Sequence, residues 1–234
     1  MSRLVATMQC DVRLQLRNGF YWAVAFLLAV MLVVFTQLPP FDWAPVLPPL
    51  VLSNLVTATF FFMAGLVLLE KGEGTLAAQV VTPLRVGDYL ASKIVTLTAL
   101  SLAEHLVIAL ITTGTSFRPL PLVMGVVLAS ALYCLTGFAA VVRYDSINEM
   151  MFPTIVWVTL FALPILHYAG LWHSPFMYLH PFQAPLVILT GAVAPLRAWE
   201  WLYGVGYSAL WIGAAWAWCQ YAFQRFVVAA AGAR

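Results

Sequence analysis

Residues 43–69 read WAPVLPPLVLSNLVTATFFFMAGLVLL and contain no Asp, Glu, Lys or Arg. A transmembrane helix needs about 20 consecutive, mostly apolar residues, and this run exceeds that length. A charge at the centre of a bilayer costs at least about 2.5 kcal/mol on insertion scales, so uncharged runs mark the candidate spans. The stretch therefore predicts a helix that crosses a membrane.

The composition of the whole chain agrees with membrane integration. Its 234 residues are 63% hydrophobic and 9% charged, with a mean hydropathy of +0.94, whereas soluble domains are about 45–50% apolar and about 25% charged. The net charge of +2 and the scattered basic residues argue against nucleic-acid binding. Cys10, Cys134 and Cys219 lie far apart, so neither a disulfide framework nor a zinc site is indicated.

Six uncharged or nearly uncharged runs predict an all-α membrane protein with six spans. The third run is interrupted only by Glu104 and His105, and Pro153 and Pro164 predict kinks in the fifth. The six predicted spans are residues 18–40, 43–69, 94–117, 119–142, 150–166 and 201–224.

The basic residues predict the orientation of these spans. If the N-terminus is cytoplasmic, all but Arg118 and Arg197 of the 11 Lys and Arg residues lie on the cytoplasmic side, as the positive-inside rule requires. We expect both termini in the cytoplasm and the chain in the plasma membrane, of the prokaryotic inner-membrane type. No linker or internal repeat divides residues 1–234, which form a single membrane domain.

Residues 1–18, before the first span, predict a helix in the cytoplasmic membrane interface. Leu4, Met8, Val12 and Leu16 recur at four-residue spacing, with the basic residues mostly on other faces. Residues 11–17 also alternate with a strand period, although a lone strand beside a bilayer has no partner for its backbone. A solvated basic leader that only sets topology is the alternative.

The loop from residue 70 to residue 92 contains the most informative motif, and its first 20 residues read EKGEGTLAAQVVTPLRVGDY. We expect Gly74 to end the preceding helix, Thr75 to cap a new one and Pro83 to stop it. The result is a cytoplasmic helix of about two turns over residues 76–82. Because its surface is small or apolar, we expect it to press into headgroups or a groove on a partner.

A second irregular segment, residues 171–198, lies between the fifth and sixth predicted spans. Its apolar part, residues 185–194, is too short to cross a bilayer. We expect the segment to dip into the outer face, return, and be shielded by the spans, because exposed irregular backbone is not tolerated in lipid.

The loop resembles that of ABC-2 type permeases, the membrane subunits of type-2 ATP-binding-cassette exporters. The shared pattern is an acidic-basic-acidic cluster, Gly-Thr, a short apolar helix, Pro, and Tyr followed by Lys. Gly72 departs from it, because the family often has another acidic residue there. Residues 13–21, RLQLRNGFY, further resemble the start of the fluoroquinolone-export permeases. The matching loop positions are Glu70, Lys71, Glu73, Gly74, Thr75, residues 76–82, Pro83, Tyr89 and Lys93.

The resemblance implies an export subunit for a hydrophobic or amphipathic drug or lipid-like substrate. Lys71 and Lys93, the only lysines, are followed by Gly and Ile, so the chain has no GxxxxGK[ST] phosphate loop and is not itself an ATPase. The resemblance implies that ATP and Mg bind to two copies of a separate ABC ATPase and that this chain binds no cofactor. It also implies a second permease subunit, as a homodimer or a sister heterodimer, that alternates between inward-open and outward-open states.

By the same resemblance, the short helix is the coupling helix that sits in a groove of the ATPase. A non-transporting membrane scaffold or sensor is the alternative function. A membrane-embedded enzyme is disfavoured because neither HExxH nor GxSxG occurs. The residues expected to couple to the ATPase are Glu70, Lys71, Glu73, Gly74, Thr75, Leu76, Gln79, Thr82 and Pro83.

Ser101, Glu104 and His105 are the candidate substrate-pathway residues, because ionisable groups near the bilayer midplane are functional hypotheses by default. Ser101 lies one turn before His105 and is a partner for its ring. Glu104 either offers a carboxylate to a cationic amphipathic substrate or is a protonated or hydrogen-bonded structural group.

Histidines and aromatic residues near the span ends have less specific explanations. The spacing of His167, His173 and His180 does not place metal ligands on one helical face, which favours interfacial histidines over a metal site. The many Trp and Tyr residues predict interfacial belts, and a substrate-stacking role for a few of them stays open.

Overall fold

The computed structural model describes residues 3–38, 41–80 and 85–229, and within these ranges every regular element is a helix. A π-helical segment, Val56–Phe61, joins α3 and α4 into one continuous helix, and a second one, Gln224–Val228, extends α10. The all-α class is thus confirmed. The α-helices are α1 Arg3–Arg17, α2 Phe20–Gln37, α3 Leu47–Leu55, α4 Phe62–Gly72, α5 Thr75–Val80, α6 Val86–Thr113, α7 Pro119–Val141, α8 Ile147–Tyr168, α9 Gln183–Thr190 and α10 Ala198–Phe223.

Five helices in the described ranges are long and apolar enough to cross a membrane, and they match the first five predicted spans. The helix of the third span starts at Val86, ahead of the uncharged run at residue 94, and it includes Lys93, whose charge is buried and paired with two carboxylates. The predicted sixth span lies in α10, whose 26 residues are rich in Trp, Tyr and Gly. These residues lower its hydropathy without adding charge, so length and composition alone identify five spans: Phe20–Gln37, Leu47–Gly72, Val86–Thr113, Pro119–Val141 and Ile147–Tyr168.

Helix α7 lies at the centre of the fold and contacts α3, α4, α6, α9 and α10. Small residues on α7 permit this crowding. Gly125 lies against Leu189 of α9, and Gly137 lies against the backbone of Phe60 in the π-helical segment. The close approach at Gly137 leaves no room for a side chain, since a Cβ there would lie 2.8 Å from the Phe60 carbonyl oxygen.

The N-terminal segment is helical, which excludes the strand suggested by its alternation. The face of α1 that packs on the rest of the chain is polar, and the apolar stripe predicted for the membrane interface stays partly accessible. Asp11 and Gln15 are its buried residues, and they face α6, whereas Leu16 is 50% exposed. This face is buried because α6 supplies polar partners for it, including Thr96, whose Oγ1 accepts from Gln15 Nε2 at 2.9 Å.

The segment between α8 and α10 reaches the middle of α7 and then returns. It forms a 3₁₀ turn, Pro175–Leu179, followed by α9. The Phe182 ring stacks on Tyr133 with centroids 4.2 Å apart, and Tyr133 lies about 21 Å along α7 from Pro119 at 1.5 Å per residue. At the other end, the Arg118 amide donates to the Ala192 carbonyl at 2.8 Å.

Substitution of Gly137 by Ala tests the close packing at the centre of the fold. We expect Gly137→Ala to lower the free energy of unfolding by about 1–3 kcal/mol, since the Cβ must displace backbone of the neighbouring helix. Thermal unfolding of the detergent-purified protein measures the effect. Gly213→Ala in α10 is the matched control, because nothing lies within 4 Å of its Cβ position, and removal of a helical glycine there should be neutral or stabilising.

Candidate functional site

The loop predicted to be cytoplasmic begins where α4 ends at Gly72, and Gly74 takes a left-handed φ of 71°. That conformation suits glycine because no Cβ clashes with the backbone. Helix α5 then begins at Thr75, one residue earlier than predicted. The Thr75 hydroxyl does not cap α5 but donates to the Glu70 carbonyl oxygen at 3.1 Å, so it ties α5 back to α4.

The predicted short helix is present as α5. Its residues do not all lie on the surface that a partner can reach. Leu76 is 2% exposed and packs in the core with residues of α4, α6 and α7. It therefore anchors α5 to this chain, on the side of α5 that faces the core. Ala78 is exposed. Gln79 lies in α5, and Thr82 and Pro83 lie outside the described residues.

Glu70 belongs to a buried cluster of charges that joins three helices. Lys93 Nζ of α6 donates to Glu70 Oε1 of α4 at 2.6 Å and to Asp11 Oδ1 of α1 at 2.9 Å. The Tyr89 hydroxyl donates to Glu70 Oε2 at 2.6 Å, and the Ser92 hydroxyl donates to Asp11 Oδ2. Every carboxylate oxygen thus has a donor, as buried charges require.

Lys71 connects the end of α4 to the end of α7. Its Nζ donates to the carbonyl oxygens of Val142 and Tyr144 at 2.6 and 2.8 Å and to Asp145 Oδ1 at 3.1 Å. Carbonyls at a helix C-terminus have no partner within the helix, and a cation there also complements the helix dipole. Lys71 therefore caps α7 from a neighbouring helix.

Glu73 makes the weakest of the three connections. It accepts a hydrogen bond from Arg17 of α1 at 2.8 Å, with both side chains largely exposed. An exposed pair of this kind contributes at most about 1 kcal/mol. The three predicted charges together link the loop to α1, α6 and the end of α7.

Sequence reasoning missed Asp11 and Ser92 in this cluster and gave Lys93 only as part of a motif. Asp11 lies among basic residues of an amphipathic helix, and Lys93 lies 82 positions further along the chain. The one local signal is that Asp11 and Gln15 are four residues apart and therefore share a helical face.

The three membrane residues on α6 are buried, and the His105 ring bonds to backbone groups. Its Nδ1 donates to the Ser101 carbonyl oxygen at 2.7 Å, so the backbone rather than the hydroxyl of Ser101 satisfies it. Glu104 is 1% exposed. Among the described residues, the Glu104 carboxyl interacts with the Asn54 side chain, although neither of its oxygens reaches hydrogen-bond geometry, and Ser101 Oγ has no hydrogen-bond partner. A carboxylate in such a place is costly unless a proton or a cation accompanies it.

The three outer histidines do not converge. The rings of His167 and His173 lie 6.0 Å apart, and His180 Nδ1 accepts from the Phe182 amide at 3.3 Å. Within residues 3–38, 41–80 and 85–229, no group of three His, Cys, Asp or Glu side chains is arranged to hold a metal.

These features define a multi-pass membrane protein with an ordered loop between its second and third spans, the general form of a transporter subunit. Residues 2–231 match the fluoroquinolones export permease protein family. The chain is also 35% identical over 236 residues to the fluoroquinolones export permease proteins of two Mycobacterium tuberculosis strains, CDC 1551 / Oshkosh and ATCC 25618 / H37Rv. The alignment covers 99% of each chain. The chain therefore belongs to the fluoroquinolones export permease family, which confirms the resemblance seen at residues 13–21.

Replacement of Lys93 tests the buried charge cluster. Lys93→Met leaves two buried carboxylates without a cation, and we expect the free energy of unfolding to fall by about 3–5 kcal/mol. Thermal unfolding in detergent measures the change. Arg17→Ala, which breaks the exposed pair, should cost less than about 1 kcal/mol.

Adding Asp11→Asn to Lys93→Met should recover part of the loss, because one of the two uncompensated charges is then removed. If Lys93→Met unfolds no more easily than Arg17→Ala, the cluster does not stabilise the fold as described.

Proposed function

We propose that this chain is the permease subunit of an ABC exporter that moves amphipathic drugs, fluoroquinolones among them, out of the cytoplasm. The observation that carries the proposal is the full-length match to export permeases, combined with a loop helix held by charges from three directions. In this proposal ATP and Mg belong to a separate ABC ATPase, present in two copies.

The proposal includes six crossings with both termini in the cytoplasm. Helix α10 is about 39 Å long at 1.5 Å per residue, enough to cross a bilayer. The Tyr203 hydroxyl, near its start, donates to the Tyr178 carbonyl of the outer segment at 2.8 Å. Phe223, at its end, lies 5.8 Å from Tyr89 near the cytoplasmic loop. These contacts at both ends support a sixth span and an outer segment that enters the bilayer between the spans.

The exposed side of α5 is the proposed contact with the ATPase. Leu76 anchors one side of α5 in the core, which leaves Ala78 on the side that a partner can reach. Gln79, Thr82 and Pro83 stay proposed contacts. A displacement of α5 passes to α1, α6 and α7 through the hydrogen bonds of the residues that precede it, which do not contact the ATPase themselves. These residues are Glu70, Lys71, Glu73, Gly74 and Thr75.

A second permease subunit, either identical or a sister chain, fits the exposure of two helices. Only 11% of the apolar window of α2 and 17% of that of α8 are buried within the chain. Large apolar side chains face outward on both, including Trp22, Phe26, Phe152 and Ile155. Lipid or another subunit must cover these faces. Because six spans form only half of a transport pathway in this proposal, the second subunit supplies the other half.

The scaffold or sensor alternative predicts different behaviour at the same residues. A scaffold needs no ATPase, so substitutions on the exposed side of α5 would leave its function unchanged. Transport by a permease depends on that surface.

An exposed position on α5 tests the ATPase contact. We expect Ala78→Trp to abolish co-purification of the host's ABC ATPase and ATP-driven export from vesicles, because the bulky ring blocks a close-fitting helix. Ala198→Trp, at an exposed position at the start of α10, is the matched control and should retain both. Capture of the ATPase by Ala78→Trp at the wild-type level would contradict the proposed contact.

A neutral isostere of Glu104 tests its place in the substrate pathway. If the carboxylate binds a cationic group, Glu104→Gln should reduce export of a cationic amphipathic drug by about tenfold or more, since hydrogen bonds to charged groups contribute about 1.5–3 kcal/mol. Export from proteoliposomes that contain the ATPase measures the change. Thr98→Val, at another buried hydroxyl of α6, is the control and should have little effect. Unchanged export by Glu104→Gln would assign Glu104 a structural role.

A further inference from the structure

A cavity of about 420 Å³ lies between α7, α8, α10 and the deepest part of the outer segment. Its volume is within the range of small-molecule sites, which is about 300–1,000 Å³. Residues 101, 104 and 105 are not among its lining residues, so the cavity is separate from the proposed pathway carboxylate.

Aromatic rings form most of the cavity wall. The Trp157 ring lies 6.2 Å from Trp218 and 6.0 Å from Phe161, and Phe161 lies 4.8 Å from Phe182. These separations are typical of interacting aromatic rings, which favour offset or edge-to-face contacts. A flat molecule makes the largest contact area with such a wall.

One wall residue has an unused hydrogen-bond donor. Trp211 lines the cavity, and its indole Nε1 is buried with no acceptor in the part of the chain that the structure describes. The other polar groups are engaged, since the Thr136 hydroxyl donates to the Leu132 carbonyl at 2.8 Å and His180 Nδ1 accepts from Phe182. A buried donor without a partner favours a guest that carries an acceptor.

The cavity opens toward the surface that the bilayer covers. Trp218 is 40% exposed, and Ala214 on the same helix is also exposed. No charged residue lines the cavity. A guest therefore arrives from the hydrocarbon region, and any charged group on it must stay at the opening.

We propose that this cavity binds a planar aromatic molecule with a ring carbonyl. The ring system packs against Trp157, Phe161 and Trp218, and a rotation of the Trp211 ring, whose indole nitrogen has no accessible surface, lets the carbonyl oxygen of the guest accept its hydrogen. Fluoroquinolones have this chemistry, so the proposal names a binding site for the substrate class and rests on the proposed function. An acyl chain fits less well because its hydrocarbon offers no acceptor.

Equilibrium dialysis of the purified permease with norfloxacin, a fluoroquinolone, tests the site. Ala214→Phe fills the cavity and should weaken binding by about tenfold or more. Ala217→Phe is the matched control, because Ala217 lines a different groove at the cytoplasmic end of α10 and should bind as the wild type does. Trp211→Phe removes the donor and keeps a ring, and it should weaken binding about twofold to tenfold.

Several outcomes would overturn the site. The first is that the wild type does not bind norfloxacin, and the second is that Ala214→Phe and Ala217→Phe bind it equally well. The third is that native mass spectrometry finds a bound phospholipid that norfloxacin does not displace. Trp211→Phe and thermal unfolding of each variant keep the test decisive if Ala214→Phe misfolds. Export by vesicles that contain the ATPase is measured separately. If Ala214→Phe binds norfloxacin as the wild type does and export is intact, the proposed site is wrong but the proposed transport function stands.

Discussion

The ion cluster around Lys93 is the interaction on which the packing of α1, α4 and α6 depends. One ammonium group binds carboxylates from α1 and α4, and neither carboxylate is close to it in sequence. Buried charges are costly unless all of them are paired, so the three helices must come together in one arrangement or not at all. The position of α5 follows from this arrangement, because Glu70 and Thr75 fix it at the end of α4.

Helix α7 has the corresponding role inside the membrane. Glycines let it approach the π-helical segment and α9, and its aromatic residue Tyr133 receives the deepest ring of the outer segment. Lys71 then joins its last carbonyls to α4. The loop is therefore joined to the most central helix by a direct set of hydrogen bonds.

The sequence predicted the parts of this structure that depend on local composition. Uncharged runs located five spans, and glycine with its neighbours located α5. It did not predict that Asp11 faces Lys93, because residues 82 positions apart share no periodicity. It did not predict that Leu76 packs within its own chain, because an apolar residue on a short helix has the same pattern whether it anchors inward or docks outward. The aromatic cavity was also beyond reach, since Trp157, Phe182 and Trp211 come from three separate segments.

The long separation of Asp11 and Lys93 has a consequence for synthesis. Asp11 leaves the ribosome 82 residues before Lys93, a delay of roughly 4 to 16 seconds at 5–20 residues per second. Throughout that interval the N-terminal helix has an acidic group without its cation, so the helix stays in water or among headgroups. Its docking must follow membrane insertion of the third span, and assembly of this half of the protein is therefore ordered by translation.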